Sequence, residues 1–570
     1  MRREWASVSW RSLRRVRSTG VLVWGPLLLL LGYAILWPLI SLETQASSGL
    51  RDYVAAYTAP GTIRMLQTTV ALAVLATTFA FFAGLALAWA STRLPRRVAP
   101  VLQILPMTPL LIPAVAGVTG WAFLLSPRVG YLNEVLRMLP PLRGNLEGPF
   151  NAYSFGGVVF VSGLLLTSFM YLFLYNGLQA GSGALDEAAA VSGASPLRTF
   201  LTVTLPQLRP SIVYGVGITL LLGLGQFAAP LLLGVPGNVE VLTTRIFGLL
   251  QAYPIPFGQA AALGAPLLVS GMLILIAQRV AIGDMRRYSF IGGRTFAQPR
   301  PAAWWSVPVV GVYGLLAVVL PLLALTYVAL SPYWTGTIRF DRLTLRNVVQ
   351  LGANEHLSSA IFNSLVSAGL TLLIVLPVGY LVARFLAGRA EAPRTVVRAL
   401  DLLALLPYGT PAILFGFSLL FAYTRPPFIL YGSYALIIVA FATIMVPYSV
   451  RLQLATLLAA GEEPWEAARV SGASPLRVFM TVTIPLMRRG VASAAAIIFV
   501  LLFQEFGVAL TVRTSSIQVV GTVLYDVYTA GTYPSVAVLA LAMVSITAVG
   551  VGFALSVGGG DALARTGQVK

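Results

Sequence analysis

The sequence predicts an all-α polytopic membrane protein with about twelve transmembrane helices in two homologous units of six. Three observations predict this class. Of 570 residues, 57% are hydrophobic and only 10% are charged, whereas soluble domains carry about 25% charged residues. Apolar stretches near the ~20 residues needed to cross a bilayer recur along the whole chain. Finally, one polar segment between such stretches occurs twice, which indicates a duplicated unit.

Twelve stretches are apolar and long enough to cross a membrane. They lie near residues 21–42, 68–91, 100–126, 155–178, 211–233, 259–281, 304–330, 363–386, 399–423, 430–450, 490–512 and 534–557. We expect the first stretch to remain as a span, because no A-x-A-like cleavage site follows it. Between spans, the pattern of Tyr131–Leu139 predicts a short amphipathic helix, and residues 234–258 predict an external loop or half-helix.

Basic residues indicate the orientation of the chain. All 38 are arginine except Lys570, and clusters follow spans two, six and eight: Arg93, Arg96, Arg97, Arg286, Arg287, Arg294, Arg389, Arg394 and Arg398. Cytoplasmic loops are enriched in such residues, so we expect both termini to lie in the cytoplasm. This placement accounts for the net charge of +19 without a nucleic-acid partner.

The domain organisation follows from the spans. The first unit is expected at residues 1–282 and the second at residues 304–570. Between them, residues 283–303 are basic and contain glycine and proline without an apolar period, which is typical of a cytoplasmic linker.

The duplicated segments are residues 187–206, EAAAVSGASPLRTFLTVTLP, and residues 466–485, EAARVSGASPLRVFMTVTIP. Each follows the fourth span of its unit, and they differ at only four positions. The alanines predict a short helix, and Gly193 and Gly472 suit its end, where φ is positive. Serine followed by proline then predicts the start of a second helix, which Pro206 and Pro485 are expected to interrupt. Such a bent, small-residue surface suits docking into another protein.

At these residues the chain resembles the permeases of binding-protein-dependent ABC importers. Their signature is EAA, three residues, Gly, nine residues and I-x-L-P. The matching residues are Glu187, Ala188, Ala189, Gly193 and Val203–Pro206, and Glu466, Ala467, Ala468, Gly472 and Val482–Pro485, with conservative exchanges in the last element. The resemblance implies the type I importer fold, with each EAA helix acting as a coupling helix that docks on an ATPase subunit.

The resemblance also implies the partners. Two copies of a nucleotide-binding ATPase subunit would bind ATP and Mg, and an extracytoplasmic solute-binding protein would deliver the cargo. This chain would be a transport subunit without enzymatic activity and without a cofactor of its own. Two units fused in one chain look most like the ferric-iron permeases. Thiamine and phosphonate permeases share this layout, and a polyamine or sugar-like cargo also stays open.

Polar residues inside spans indicate a lined path or a helix contact, because they are costly in lipid. The candidates for a pathway or gate are Gln226 and Phe227 in the fifth span and Gln504, Glu505 and Phe506 in the eleventh. A P-loop needs a lysine that this chain lacks, since its only lysine is Lys570. The lone His356 falls in an external loop and, without cysteine or a ligand cluster in the spans, predicts no metal site.

Two other functional classes compete with the importer. A secondary transporter can also have twelve spans in two repeats. However, proton coupling favours several ionisable groups within the membrane, and only Glu505 stands out here. A scaffold or receptor explains docking segments but not a lined path. Neither class accounts for two matching EAA segments as well as the importer does.

Overall fold

A computed structural model describes residues 10–47, 50–180, 183–282, 302–514 and 516–558. Within these ranges, nine helices are long and apolar enough to cross a membrane, and three sharply bent helix pairs raise the number to twelve. The all-α class with about twelve transmembrane helices is therefore confirmed. Almost all of the predicted linker, residues 283–301, lies outside the described residues.

The first unit contains twelve helices that matter here. They are α1 Val21–Gln45, α2 Leu50–Thr58, α3 Thr62–Ser91, the bent pair α4 Ala99–Leu111 and α5 Ala114–Leu125, α6 Tyr131–Arg137, α7 Phe155–Ala180, α8 Gly183–Val191, the bent pair α9 Leu197–Gln207 and α10 Arg209–Leu224, α11 Leu242–Leu249, and α12 Phe257–Ile282.

The second unit repeats this order with small changes. Its helices are α13 Ser306–Ala329, α14 Arg346–Ala353, α15 Glu355–Leu386, the bent pair α16 Arg394–Gly409 and α17 Ala412–Tyr423, α18 Tyr434–Ala459, α19 Glu463–Val470, α20 Pro475–Phe503, α21 Gly507–Val512, α22 Val520–Thr529 and α23 Tyr533–Gly558.

If each bent pair is counted as one span, the helices of the described residues match the twelve predicted spans in number, but their ends differ at several places. The amphipathic helix after the third span and the half-helix within residues 234–258 are both present, as α6 and α11. By contrast, α18 continues nine residues past the predicted end of the tenth span at residue 450. The last stretch of α18 contains polar side chains, so hydropathy alone ends the span before the helix ends.

The two units interlock through their first spans. Helix α13 of the second unit packs against α3 and α5 of the first, whereas α1 of the first unit packs against α17 and α16 of the second. The Tyr313 hydroxyl, on α13, donates to the Leu164 carbonyl at 3.0 Å and lies 3.1 Å from the Ser168 hydroxyl. A Cβ at Gly120 would lie 2.7 Å from the Pro321 carbonyl oxygen, so glycine permits the close approach of α5 and α13. The units therefore share one core.

Candidate functional site

Both duplicated segments form the predicted short helix and turn. Gly193 and Gly472 adopt φ of +78° and +75°. The amide of the residue after each glycine reaches back five positions: Ala194 donates to Ala189 at 3.0 Å, and Ala473 donates to Ala468 at 3.1 Å. This is the Schellman arrangement, which satisfies carbonyls at a helix end. The corner after each EAA helix is thus built identically in both units.

The second part of each segment is only partly as predicted. The hydroxyls of Ser195 and Ser474 accept from amides three residues on, as N-caps do. In the first unit the chain then bends by 69° between α9 and α10. In the second unit α20 is continuous, so the expectation that Pro485 interrupts the helix is wrong. The first unit has a further proline, Pro210, where the second has Arg489, and each proline removes one helical N–H.

Each duplicated segment presents three large apolar side chains to its surroundings. In the first, Val191, Leu197 and Leu201 are 90%, 68% and 52% exposed; in the second, Val470, Leu476 and Met480 are 89%, 67% and 55% exposed. These residues correspond pairwise in the sequence. We call the two sets the apolar triads. Repeated apolar side chains at matched exposure on polar segments are typical of a surface that another protein covers.

The second EAA helix is tied to its unit by a contact that the sequence did not reveal. Trp465 is 8% exposed, and its indole N–H donates to the Thr483 hydroxyl at 3.0 Å. The guanidinium of Arg389 lies 3.8 Å from the centre of the Trp465 ring and donates to the carbonyls of Leu457, at 2.5 Å, and Gly461. Burial lowers the pKa of Arg389, and the nearby Glu462 carboxylate opposes this shift. We call this set the Trp465 brace.

The candidate path residues lie at helix breaks and not within continuous helices. Helix α10 ends at Leu224, just before Gln226 and Phe227, and α20 ends at Phe503, just before Gln504. The prediction of an unbroken eleventh helix over residues 490–512 is therefore wrong. Glu505 explains the break: its Oε1 accepts from the Val508 amide at 2.7 Å and so caps the new helix α21.

Four aromatic rings meet where the two units face each other. Phe227 stacks on Phe506 with ring centres 5.5 Å apart and also contacts Phe247 at 5.5 Å. Tyr525 closes the set, at 6.3 Å from Phe506 and 5.8 Å from Phe247. Each unit contributes one ring at its helix break and one on the following half-helix, α11 or α22. We call these four residues the aromatic cluster.

The half-helices that carry the cluster are held in the same way in both units. The amide of Leu242, at the start of α11, donates to the Thr69 hydroxyl at 2.9 Å. The amide of Val520, at the start of α22, donates to the Ser364 hydroxyl, also at 2.9 Å. Across the units, the Tyr528 hydroxyl donates to the Leu232 carbonyl at 3.0 Å. These hydrogen bonds hold the half-helices of the aromatic cluster in place. The length of α10, ~24 Å, separates the cluster from the first duplicated segment.

An ion pair at the ends of two predicted spans was also missed by sequence reasoning. Arg451, on α18, contacts Asp401, on α16, at 2.6 Å, and about a third of each side chain is exposed. The sequence does carry a signal, because Asp401 stands inside the predicted ninth span. Arg451 lies just beyond the predicted end of the tenth span. At the position of Arg451 in the first unit stands Leu172, so this charge belongs to one unit alone.

The described part of the chain contains no group of three or more histidine, aspartate and glutamate side chains placed to hold a metal ion. His356 is exposed in the first turn of α15. Glu505, one of whose oxygens already caps a helix, is the only carboxylate among the candidate path residues.

The profile of one family, described as binding-protein-dependent transport system inner membrane component, matches the chain twice, over residues 76–287 and 375–557. A putative ferric transport system permease protein of Haemophilus influenzae is 23% identical over 433 residues, covering 73% of this chain and 65% of the relative. The chain thus spans less than two thirds of the length of that relative.

Two further similarities are more limited. A spermidine/putrescine transport system permease protein of Escherichia coli is 28% identical over 211 residues, 37% of this chain and 74% of the relative. Among solved structures, a bacterial alginate ABC transporter, in complex with an alginate pentasaccharide-bound periplasmic protein, contains a chain that is 21% identical. That match covers 50% of this chain and 99% of the other, with a TM-score of 0.38.

Proposed function

The chain belongs to the binding-protein-dependent transport system inner membrane component family, as a fused two-unit permease of an ABC importer, and we propose that it carries ferric iron across the bacterial inner membrane. In this proposal two copies of an ATPase subunit dock on the duplicated segments, and a solute-binding protein delivers cargo to the opposite side. ATP and Mg bind the partner ATPase. Both termini lie in the cytoplasm.

The observation that carries the proposal is the equivalence of the two apolar triads. Pairs of corresponding residues differ in exposure by only a few percentage points, from Val191 and Val470 to Leu201 and Met480. Elsewhere the units have diverged, as at Leu172 and Arg451. The two surfaces are alike although the two units differ. This suits binding of two copies of one partner, because each copy requires the same complementary surface.

The transport path is proposed to run between the units and to be closed here by the aromatic cluster. Docked ATPase subunits that move together would pull the duplicated segments together, and α10 and α20 would carry this movement to the helix breaks. Movement at the breaks separates Phe227 from Phe506 and opens the path toward the binding protein. ATP shifts this equilibrium only if it favours one arrangement of the units over the other.

Ferric iron is the proposed cargo because a ferric transport system permease aligns with both units. The absence of a ligand cluster among the described residues suits a cargo that passes without tight coordination. A polyamine is the second candidate. It is supported by the spermidine/putrescine permease, whose alignment covers 37% of this chain. Both cargoes are cations, and the acidic residue Glu505 directly precedes Phe506 of the aromatic cluster.

The experiment is ATP hydrolysis by the chain reconstituted with its candidate ATPase and a panel of binding proteins. These are loaded in turn with ferric iron, spermidine, thiamine or a phosphonate. We expect the ferric-loaded protein to stimulate hydrolysis. Stimulation should vanish when Glu187 and Glu466 are both replaced by arginine. The double variant Leu197→Asp with Leu476→Asp should have the same effect, because it places charges on the apolar triads.

The matched control is Leu146→Asp, because Leu146 is 86% exposed and α7 separates it from the first duplicated segment. This variant should leave ATPase binding unchanged. If the ATPase binds the double leucine variant as tightly as the unmodified chain, the docking assignment is wrong. If only the spermidine-loaded protein stimulates hydrolysis, the importer stands and the cargo is a polyamine.

A further inference from the structure

Three helix breaks meet where the two units face each other. A Cβ at Gly225, which follows α10, would lie 3.5 Å from the Cβ of Pro411, in the break between α16 and α17. A Cβ at Gly507, the first residue of α21, would lie 3.2 Å from the Cβ of Ala412 and 3.8 Å from Glu505 Oε1. The break between α16 and α17 therefore adjoins both the break of the first unit and the carboxylate of Glu505.

Two tyrosines lie beside this meeting point. Tyr408 stands at the end of α16, directly before the break, and Tyr448 lies on α18, which packs against α20 and α21. The centres of the two rings are 4.8 Å apart. Tyr448 is also near enough to Glu505 for the two side chains to interact electrostatically. We call the two phenols and this carboxylate the oxygen site.

The oxygen site keeps part of its surface open although it lies within the membrane-spanning region. Tyr448 stands near the middle of α18, and both it and Glu505 are half-buried, whereas Tyr408 is 40% exposed. Glu505 Oε1 accepts from the Val508 amide, but a carboxylate has about four lone-pair positions. The site therefore has both accessible surface and acceptor capacity for a ligand.

The oxygen site lies between the aromatic cluster and the ion pair of Asp401 and Arg451. On one side, Phe506 of the cluster directly follows Glu505. On the other side, Arg451 follows Tyr448 by about one helical turn, toward the end of α18 that leads to the second EAA helix. Because Asp401 and Arg451 balance each other, the Glu505 carboxylate leaves this set of side chains net negative, which favours a cation.

The chemistry of the oxygen site suits one kind of cation in particular. Anionic oxygen ligands suit hard cations, and ferric iron is such a cation. Tyrosine oxygen is also an iron ligand in proteins. The described residues contain no group of histidine, aspartate and glutamate ligands, but two phenols and a carboxylate offer three oxygens of the required kind.

We propose that Tyr408, Tyr448 and Glu505 bind ferric iron transiently after it passes the aromatic cluster. Each phenol releases its proton to water when its oxygen binds the metal, and the iron stays ferric. Three side chains leave other positions of the ion to water. Such partial binding suits a path, in which an ion must be held strongly enough to enter and weakly enough to leave. The inference rests on the proposed ferric cargo and states where in the path this cargo is held.

Visible absorption tests the oxygen site in the full chain, purified in detergent without partners. Ferric iron bound to a tyrosine oxygen absorbs visible light, because charge is transferred from the phenolate to the metal. We therefore expect ferric citrate to give the chain a visible absorption band, and Tyr408→Phe with Tyr448→Phe should abolish it. Glu505→Gln should weaken iron binding at least ~tenfold, since even residues that only support a metal ligand contribute that much to affinity.

The matched control is Tyr171→Phe with Tyr175→Phe. These two rings also stack, with centres 5.3 Å apart. However, the Tyr171 hydroxyl already donates to the Gln103 carbonyl, and the Tyr175 hydroxyl accepts from the Gln179 amide. This variant should keep the absorption band. The proposal is overturned if the unmodified chain shows no band, if the band survives in the Tyr408→Phe with Tyr448→Phe variant, or if the control loses it equally.

Uptake supplies the second readout and separates this inference from the proposed function. In the reconstituted complex, Tyr408→Phe with Tyr448→Phe should bind the ATPase as the unmodified chain does but lose most of its ferric uptake, whereas the control variant should keep it. Unchanged uptake by the first variant would show that iron takes another path and would overturn the inference. If the ferric-loaded binding protein does not stimulate even the unmodified chain, the proposed cargo fails, while the absorption band still decides whether the oxygen site binds iron.

Discussion

Glu505 has one structural task that the structure shows and one in transport that we propose. Its Oε1 caps α21 through the Val508 amide, which accounts for a carboxylate in the membrane without any cargo. At the corresponding break of the first unit stands Gln226, whose backbone carbonyl accepts from the Thr243 hydroxyl at 2.6 Å. An uncharged residue stands at the equivalent break, and we propose that the Glu505 carboxylate, besides capping α21, contacts a cationic cargo.

Two substitutions at Glu505 separate these tasks. Glu505→Gln keeps an oxygen that can accept from Val508, so thermal unfolding in detergent should stay unchanged while uptake of the cation falls. Glu505→Ala removes the cap and should lower the free energy of unfolding by about 1 kcal/mol. Normal uptake by the glutamine variant would show that the carboxylate serves only as a cap.

The pair of Asp401 and Arg451 should behave as a coupled unit. Replacing either residue alone by an apolar one leaves a charge inside the membrane-spanning region, and we expect a loss of roughly 1–3 kcal/mol in stability, less than for a fully buried pair because both side chains are partly exposed. The double variant Asp401→Leu with Arg451→Leu should recover much of this loss, since Leu172 occupies the equivalent place in the first unit. Unfolding of the four proteins gives the coupling energy. Additive losses would show that the contact contributes nothing.

At the scale of single elements, the turns after the EAA helices depend on two glycines. Gly193 and Gly472 have positive φ and open space around the Cβ position, so a side chain there meets no neighbour but strains the backbone. Alanine at either glycine should lower the free energy of unfolding by roughly 1–2 kcal/mol. Asparagine adopts this conformation more readily and should lower it less.

ATPase binding by the variants measures this effect. Alanine at either glycine should weaken binding, and asparagine should restore part of it. Gly352→Ala is the control, because Gly352 also has open space around the Cβ position but no positive φ, and alanine is favoured in a helix. Unchanged binding by the alanine variants would mean that the ATPase does not depend on the shape of these turns.

The sequence predicted the elements whose signals are local. The length of the apolar stretches predicted the spans, and Gly193, Ser195 and their counterparts predicted the turns. The breaks at Gln226 and Gln504 were not predicted, because apolar residues continue on both sides of each break. The Trp465 brace was missed for a different reason. Arg389 and Trp465 are far apart in sequence, and neither residue alone indicates a contact with the other. Contacts of this kind are fixed by how the spans pack.

At the scale of the whole molecule, the interlocked first spans matter most. Because α1 and α13 each pack on the opposite unit, we expect the path to open by rotation of the units about this shared core and not by their separation. The aromatic cluster lies at the interface where such a rotation would act. Nothing in the linear sequence places Phe227 against Phe506, although both were predicted as candidate path residues.

Locking the aromatic cluster should therefore stop the transport cycle. In the cysteine-free chain, Phe227→Cys with Phe506→Cys introduces one thiol on each side of the interface. A short cleavable reagent that joins two thiols should abolish uptake, because the path can no longer open, and reduction should restore it. Each single cysteine variant treated with the same reagent is the control and should keep transporting. Uptake that continues while the two thiols are joined would show that the path does not open between these two residues, and the gate would have to lie elsewhere between the units.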